Sequence, residues 1–291
     1  MHDLVSQMLE QYSCQTSDDY RNALKEILQE LTLFALSRSD FFQHAAFYGG
    51  TALRIFYGLD RFSEDLDFSL KAPKGDFDLR KYLPLIESEI NAQGFQVEVV
   101  SKDKSLQTAV QSAFVKGNTI IQLMHFIPDM PYLGLHRDEK VRVKFEVDTN
   151  PPEGAGYEQK FSLQPIPYAV TLYDKPSLFA GKVHAVLCRK WKNRNKGRDF
   201  YDYVWYLQNR TPVNLLHLQR RLEQTGNWPE GETLTLDCLE KLLRKRFSDI
   251  DFEAAKQDVV PFIRHPENLS LWSADFFTGI TEQYLSAELK K

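Results

Sequence analysis

The stretch FYGGTALRIFYGLDRFSEDLDFSL, residues Phe47–Leu70, decides the fold of this chain. It begins with a Gly-Gly-Thr turn and ends in an apolar run that contains Asp65 and Asp67 two positions apart. Side chains of a β-strand alternate between its two faces, so a strand here places both aspartates on the face opposite Leu66 and Phe68. The pattern therefore predicts two adjacent carboxylates on one face of a sheet.

These two carboxylates need a cation between them, because like charges side by side repel. Mg²⁺ is commonly held by one or two carboxylates together with substrate phosphates, which makes Asp65 and Asp67 predicted metal ligands. Upstream, the turn at Gly49, Gly50 and Thr51 allows close approach of a phosphate to the backbone and to the start of a helix. The stretch thus predicts a site where phosphates and Mg²⁺ meet.

The order G-G-T-A-L-R and then G-L-x-R-F-S-x-D-L-D-F resembles the signature of a known protein family. It is similar to the AbiEii/AbiGii toxin family of nucleotidyltransferases, which includes the MenT toxins and lies within the DNA polymerase β-like nucleotidyltransferase superfamily. The resemblance implies a glycine turn that starts a helix, followed by a strand with the D-x-D pair. It also implies nucleotide contacts from Gly49, Gly50, Thr51, Arg61 and Ser63.

The expected fold class is α/β (α+β), with a polymerase-β-like mixed sheet followed by an α-helical domain. Helical spacing of apolar residues between Leu24 and Phe34 predicts a helix before the sheet, and the chain of 291 residues with 43% hydrophobic content can bury a core. The prolines and glycines of Thr149–Pro167 mark a boundary. We therefore expect a nucleotidyltransferase core with N-terminal helices at 1–165 and a helical domain at 166–291.

A second strand is predicted at Val141–Asp148, where apolar and charged residues alternate strictly. The superfamily resemblance implies a third acidic group on a strand beside the D-x-D strand. Glu146 and Asp148 share one face and are both candidates, with Glu146 preferred because it lies inside the strand. The alternative is an antiparallel strand whose charged face lies in water.

The helical domain is expected to supply two further catalytic residues across a cleft between the domains. The family resemblance implies a lysine on the first helix, predicted at about Ser177–Trp191, and an R-D-x-x-D motif that opens the next helix. Lys182 and Asp199 are the matching residues. The ordinary alternatives are a lysine that extends to water from an apolar face and an aspartate that interacts with a helix N-terminus.

A basic run follows the first helix of that domain, although the whole chain has a net charge of −4 and is not a polyanion binder by composition. Such a run is often a solvated helix face or loop. Beside a nucleotidyltransferase site it predicts contact with a polyanionic acceptor such as a tRNA end. The predicted RNA-binding residues are Arg189, Lys190, Lys192, Arg194, Lys196 and Arg198.

The resemblance implies a toxin of a bacterial toxin–antitoxin or phage-defence system that transfers a nucleoside monophosphate from an NTP to an acceptor hydroxyl, with a tRNA 3′ end expected. A cognate antitoxin is the expected partner. Two alternatives remain: a nucleotidyltransferase for a small molecule such as an antibiotic, and a non-catalytic nucleotide- or RNA-binding module. The three cysteines, Cys14, Cys188 and Cys238, form no ligand pattern, and apolar stretches are short, so we expect a cytoplasmic protein without membrane association.

Overall fold

The computed structural model describes residues 2–102, 109–119, 122, 136, 138–189 and 196–287. The chain divides into two compact units, and each draws on several parts of the sequence. The predicted domain ranges, 1–165 and 166–291, stay a prediction. The first unit consists of Met1–Ala52, Ser63–Pro151 and Gln159–Leu172, and the second of Leu53–Phe62, Pro152–Glu158 and Tyr173–Lys291.

The helix predicted from the spacing of Leu24 to Phe34 is confirmed as α2. It begins after Thr16, whose hydroxyl accepts from the Asp19 amide while the Asp19 carboxylate accepts from the Thr16 amide. The buried stripe of α2 packs against the sheet. The helices before and between the strands are α1 (His2–Glu10), α2 (Ser17–Ser37), α3 (Phe41–His44), α4 (Gly49–Tyr57), the 3₁₀ helix Leu79–Tyr82 and α5 (Leu83–Ala92).

Seven described strands form one mixed sheet in the order β3-β4-β5-β2-β1-β7-β6. Strand β2 runs parallel to β5 and antiparallel to β1, while β4 is antiparallel to both β3 and β5. The mixed sheet and the predicted α/β class are thereby confirmed. The strands are β1 (Ala45–Tyr48), β2 (Asp65–Leu70), β3 (Val97–Lys102), β4 (Val110–Asn118), β5 (Lys140–Asp148), β6 (Tyr157–Ser162) and β7 (Tyr168–Tyr173).

Strand β5 shows why the charged residues of the sheet share one face. Val143, Phe145 and Val147 are fully buried, whereas Lys144 and Glu146 between them are only partly covered. Helix α2 packs against β5 and helix α5 against β3, and burial of the branched and aromatic residues stabilises this contact. A shift of one residue in β5 would exchange the two faces, so burial fixes which side chains face outward.

Strand β6 lies inside the segment predicted to be a domain boundary, Thr149–Pro167. The glycines and prolines of that segment flank the strand and do not interrupt it, since Gly156 precedes it and Pro165 follows it. The glycines and prolines of this segment therefore indicated the turns on both sides of an edge strand. The sequence reading missed this strand.

Helices make up most of the second unit, as predicted for the C-terminal part of the chain. The first of them, α6, begins at Lys175, two residues before the predicted start at Ser177. Its cap is Asp174, which accepts from the Ser177 amide. No helix in the described ranges is both long and apolar enough to cross a lipid bilayer. The helices are α6 (Lys175–Cys188), α7 (Gly197–Gln208), α8 (Leu215–Gln224), α9 (Leu236–Ser248), α10 (Phe252–Val259) and α11 (Ala274–Tyr284).

Candidate active site

Acidic residues of β2 and β5 lie side by side on one face of the first unit's sheet. Asp67 of β2 is opposite Glu146 of β5, and Ser69 is opposite Asp148 in the same parallel register. Asp65 is exposed, and Asp67 and Glu146 are partly covered. We call the set Asp65, Asp67, Glu146 and Asp148 the carboxylate face. It brings together all four acidic residues predicted on these two strands.

Glu146 is held on this face by contacts to both of its carboxylate oxygens. Ser112 Oγ of β4 donates to Glu146 Oε1 over 2.7 Å, and Lys144 Nζ lies 2.6 Å from Oε2. Lys144 is itself opposite Asp65 in the β2–β5 register. Asp148 lies one position further along the face, where it accepts from the Asn150 amide over 3.0 Å. The register thus places Glu146, and not Asp148, directly beside the D-x-D pair.

The glycine turn packs directly against Asp67. Gly49, the first residue of α4, has a φ of +84°, and a Cβ built on it would lie 2.6 Å from Asp67 Oδ2. A glycine is therefore required for both backbone conformation and space. The backbone at the start of α4 and the carboxylate of Asp67 are in close contact.

Thr51 connects the glycine turn to β2. Its side chain is buried, with Oγ1 2.8 Å from Ser63 Oγ and hydrogen-bonded to the carbonyl oxygen of Asp65. These bonds fix the turn relative to the first residue of the strand. Phosphate contacts from Gly49, Gly50, Thr51 and Ser63 stay predictions, and the buried Thr51 hydroxyl is already used within the protein.

A second group of charged residues lies in the second unit. Lys182 Nζ of α6 is 2.7 Å from Asp199 Oδ1 and 2.7 Å from Asp202 Oδ2, both on α7. Arg61 makes a bidentate pair with Asp202 at 2.6 and 2.7 Å, and Arg189 NH1 lies 2.7 Å from Asp199 Oδ2. We call these five residues the ion-pair cluster. The predicted pair Lys182 and Asp199 is therefore in direct contact.

Burial and charge act in opposite directions on the two carboxylates of the ion-pair cluster. Burial by itself disfavours the ionised form of each, but the attraction of Lys182 and Arg189 lowers the pKa of Asp199 below its usual value. The attraction of Arg61 and Lys182 does the same for the pKa of Asp202. Both carboxylates are therefore ionised at neutral pH, although both are buried.

Arg61, predicted to contact the nucleotide, is only 3% exposed. Besides its pair with Asp202, it donates from NH1 to the carbonyl oxygen of Phe62 over 2.8 Å. A nucleotide contact from Arg61 stays a prediction, and it would require this buried pair to open. In the structure, Arg61 is the buried counter-ion of Asp202.

The start of α7 depends on a glycine that sequence reading did not single out. A Cβ at Gly197 would lie 1.8 Å from the carbonyl oxygen of Ala255 in α10, so only glycine allows the two helices to come this close. Gly197 precedes Arg198 and Asp199 of the R-D-x-x-D motif. The motif is therefore positioned by helix packing, and its preceding glycine was the available signal in the sequence.

The predicted RNA-binding run is only partly described. Lys190, Lys192 and Arg194 lie outside the described residues. Of the others, Arg189 pairs with Asp199, and the Arg198 guanidinium lies 4.1 Å from the centre of the Phe262 ring. The run's contact with RNA stays a prediction. Two of its members have a structural role within the second unit.

The carboxylate face fits the ligand preference of Mg²⁺. Within the described ranges, no group of three or more His, Cys, Asp or Glu side chains is gathered as a ready metal cage. Mg²⁺ typically keeps open positions for waters and substrate phosphates and takes only one or two carboxylates from the protein. Asp65 and Asp67, adjacent on one face with Asp65 exposed, match that requirement.

One family model and several solved structures are similar to this chain. The family model described as nucleotidyl transferase AbiEii toxin, type IV toxin–antitoxin system, matches residues 31–277. The crystal structure of JHP933 from Helicobacter pylori is similar at 18% identity and a TM-score of 0.50, covering 90% of this chain and 91% of that one. A candidate nucleotidyltransferase from H. pylori has 17% identity and a TM-score of 0.48, covering 90% and 93%. No curated protein matches the sequence significantly.

Proposed function

The chain belongs to the AbiEii family of toxin–antitoxin nucleotidyltransferases, and from this premise we propose that it transfers a nucleoside monophosphate from an NTP to an acceptor hydroxyl in a Mg²⁺-dependent reaction. Family membership implies an NTP substrate and an antitoxin counterpart. The acceptor that we propose is the 3′ end of a tRNA. The biological role that we propose is growth inhibition within a toxin–antitoxin or phage-defence system.

The observation that carries the proposal is the register between β2 and β5. It places Glu146 beside Asp67 and leaves Asp65 exposed at the start of β2. Gly49, the first residue of α4, lies in close contact with the same Asp67 carboxylate. Carboxylates beside a helix N-terminus combine the two requirements of phosphoryl transfer, a place for a hard cation and a place for phosphate.

In the proposed reaction, the acceptor oxygen attacks the α-phosphorus of the NTP. A new oxygen–phosphorus bond forms, the bond to the β-phosphate bridging oxygen breaks, and pyrophosphate leaves with the electron pair. Asp65 and Asp67 would hold Mg²⁺, which when bound supplies positive charge to the phosphates. Glu146 is the third acidic group, and it orients the acceptor hydroxyl and accepts its proton.

The ion-pair cluster orients the lysine that the family resemblance assigns to the triphosphate. Lys182 retains 13% exposure while it bridges Asp199 and Asp202, so its ammonium group is oriented by two carboxylates and still meets solvent. We assign Lys182 to the triphosphate and Asp199 to the orientation of Lys182. An ammonium group held in place in this way stabilises negative charge without reorganising during the reaction.

The proposal is tested by incubating the protein with Mg²⁺, each of the four α-labelled NTPs and total bacterial tRNA. We expect label on tRNA with one preferred NTP. Asp65→Asn removes one charge from the carboxylate face and should abolish labelling. Asp76→Asn, which changes an exposed aspartate of the same unit outside the carboxylate face, is the matched control and should label as the wild type does.

Three results would contradict the proposal in different ways. Label on a small acceptor such as an aminoglycoside, with none on RNA, would replace the tRNA acceptor with a small molecule. No product with any acceptor, from folded protein that binds NTP, would indicate a binding module. Full labelling by Asp65→Asn would remove the carboxylate face from the reaction.

A further inference from the structure

The sheet face that carries Asp65 continues as a positively charged surface across β5 and β4. The register places Lys144 opposite Asp65, and Phe114 of β4 opposite Lys144. One position further along the strands, Arg142 is opposite Lys116. The next position on β5 is Lys140, opposite an asparagine of β4. We call Phe114, Lys116, Lys140, Arg142 and Lys144 the basic sheet face.

Lys144 is paired with Glu146 at 2.6 Å, whereas the other three cations of this surface, Lys116, Lys140 and Arg142, are at least partly open to solvent. Lys140 and Arg142 are exposed, and Lys116 is partly covered, with its Nζ 5.3 Å from the centre of the Phe114 ring. Within the part of the chain that the structure describes, no carboxylate forms an ion pair with these three cations. The one acidic residue opposite them is Glu98 of β3, beside Lys116.

Burial of the opposite face fixes which side of β4 and β5 is exposed to solvent. Val115, Val141 and Val143 occupy the opposite face and are buried, which fixes the orientation of β4 and β5. The outward face could carry any polar residue without cost to the core. It carries four cations and one aromatic ring, on β5, which is adjacent to the D-x-D strand, and on β4, the next strand of the sheet.

The spacing of the cations suits an extended polyanion. Neighbouring strands lie about 4.8 Å apart and alternate residues of a strand about 6.7 Å apart, so Lys140 and Lys144 are separated by about 13 Å. That length matches several linked phosphates better than the phosphate group of a single nucleotide. Phe114 adds an aromatic side chain of the kind on which unstacked bases of single-stranded nucleic acids pack.

We propose that the basic sheet face binds the phosphate backbone of the acceptor strand, a single-stranded end of a nucleic acid. This inference rests on the proposed function, because it assigns the acceptor of the same site. Lys144 is nearest to Asp65, the opposed pair Arg142 and Lys116 comes next along the strands, and Lys140 is furthest. The terminal hydroxyl of the acceptor therefore lies at the Asp65 end, and the preceding nucleotides lie over β4 and β5.

The test measures RNA binding directly, in an Asp65→Asn background that performs no transfer. The probe is a fluorescein-labelled oligouridylate, and its dissociation constant is determined by anisotropy at increasing salt concentrations. Lys116→Gln/Arg142→Gln removes two phosphate contacts, so the slope of log K against log salt should become shallower by about 1.4. At low salt we expect the dissociation constant to rise by about tenfold or more.

The matched control is Lys241→Gln/Lys245→Gln, which removes two exposed charges of α9 and gives the same net charge. Its slope should equal that of the parent protein. An unchanged slope in Lys116→Gln/Arg142→Gln, or an equal change in the control, would overturn the inference. An equal loss of affinity for a fluorescent NTP would also overturn it, since the surface would then serve the nucleotide and not the acceptor strand.

This design separates the inference from the proposed function. Binding is measured without turnover, so a wild-type protein that transfers nothing to RNA would refute the proposed function while a shallower slope still supports the RNA surface. A wild-type protein that labels RNA normally, with unchanged binding in Lys116→Gln/Arg142→Gln, would refute only the inference.

Discussion

The carboxylate face of the first unit and the ion-pair cluster of the second use the same residue types in opposite ways. On the carboxylate face, Asp65 is exposed and Asp67 and Glu146 lie beside each other on neighbouring strands. In the ion-pair cluster, Asp199 and Asp202 are buried, and each is in contact with two cationic side chains. The carboxylates of the first set lie beside one another at a partly exposed surface, where Lys144 pairs with Glu146, whereas those of the second set are paired with cations inside the protein.

The difference predicts opposite consequences when a charge is removed. Adjacent carboxylates at a partly exposed surface repel, so they cost stability and retain the capacity to bind a cation. A buried carboxylate paired with arginine and lysine holds its partners in place, and its loss leaves their charges unpaired in the interior. Removal of a charge should therefore reduce activity in the first region and stability in the second.

The largest effect is expected from Asp67→Asn. Loss of one of the two predicted metal ligands should reduce the rate of nucleotide transfer by about 10³-fold, equivalent to about 4 kcal/mol of transition-state stabilisation. The free energy of unfolding, followed by circular dichroism, should change by less than about 1 kcal/mol because a repulsion is also removed. Transfer rates and unfolding curves are compared with those of Asp76→Asn. A variant that is inactive because it is unfolded would contradict this assignment.

Asp202→Asn should show the reverse pattern, with a loss of stability of about 3–5 kcal/mol because the buried Arg61 loses its bidentate partner. Unfolding in urea is followed by tryptophan fluorescence, which reports on the second unit because the described tryptophans, Trp205, Trp228 and Trp272, lie in it. Arg61→Met/Asp202→Leu, which removes both charges, should recover most of the loss. Asp249→Asn, at an exposed position, is the control.

An unchanged urea midpoint in Asp202→Asn would mean that Arg61 finds another partner. A double variant no more stable than Asp202→Asn would show that packing, and not the unpaired charge, causes the loss. In either case the contrast between the two regions would have to be abandoned.

The faces of the strands were predictable from sequence, whereas their register was not. Alternation in β2 and β5 identified which residues point outward, because a period of two is a local property. That Glu146 lies opposite Asp67 depends on the pairing of strands that are distant in sequence, and the local pattern places Glu146 and Asp148 on the same face. Ser112, which donates to Glu146, lies on a third strand and carried no local signal.

For the ion-pair cluster too, the sequence indicated candidate residues but not all of their partners. The motif resemblance singled out Lys182 and Asp199, and the structure places the two side chains in contact. It gave no indication that Arg61 is the buried partner of Asp202, because the two residues are 141 positions apart and nothing near Arg61 indicates burial. Local pattern thus predicted the elements and the candidate residues, and long-range packing decided their partners.

The two acidic candidates on β5 provide a finer test. Glu146→Gln should lower the transfer rate by about 10²-fold, about 2.7 kcal/mol, because it removes the proton acceptor beside Asp67 while the hydrogen bond from Ser112 survives. Asp148→Asn, opposite Ser69, should lower it by less than about threefold. Both variants should retain wild-type circular dichroism. The reverse ranking would move the third acidic group to Asp148, and two fully active variants would exclude this strand from the reaction.

Gly49→Ala tests the close contact between the glycine turn and Asp67. The new Cβ would meet Asp67 Oδ2 at 2.6 Å, and alanine would be strained at a φ of +84°, so we expect a loss of about 2 kcal/mol in stability together with reduced transfer. Gly58→Ala is the matched control, because Gly58 also has a positive φ but no atom near the added Cβ. Equal effects in the two variants would assign the whole loss to backbone strain.

The smallest expected effect is a dependence of stability on pH. It distinguishes buried histidines, which have no ion-pair partner among the described residues, from the buried aspartates of the ion-pair cluster. His217 is fully buried, its Nδ1 lies 2.9 Å from the Glu153 carbonyl oxygen, and burial lowers its pKa to about 4. In the unfolded chain the pKa is about 6.5. Between these values the unfolded chain binds a proton that the folded protein does not, so this contribution to stability is present above pH 6.5 and is lost as the pH falls toward 4.

For His217 the loss is about 1.4 kcal/mol per pH unit below 6.5, and His184, whose pKa burial also lowers to about 4, makes a like contribution. Urea unfolding followed by tryptophan fluorescence should therefore show a lower free energy of unfolding at pH 5.5 than at pH 7.5. His217→Asn should reduce this difference by about half. His265→Asn, at an exposed position, should leave the decrease unchanged. The paired Asp199 and Asp202 should contribute nothing in this range, because their pKa values are lowered and both stay ionised. A pH dependence that survives in His217→Asn/His184→Asn would show that groups other than these two buried histidines cause it.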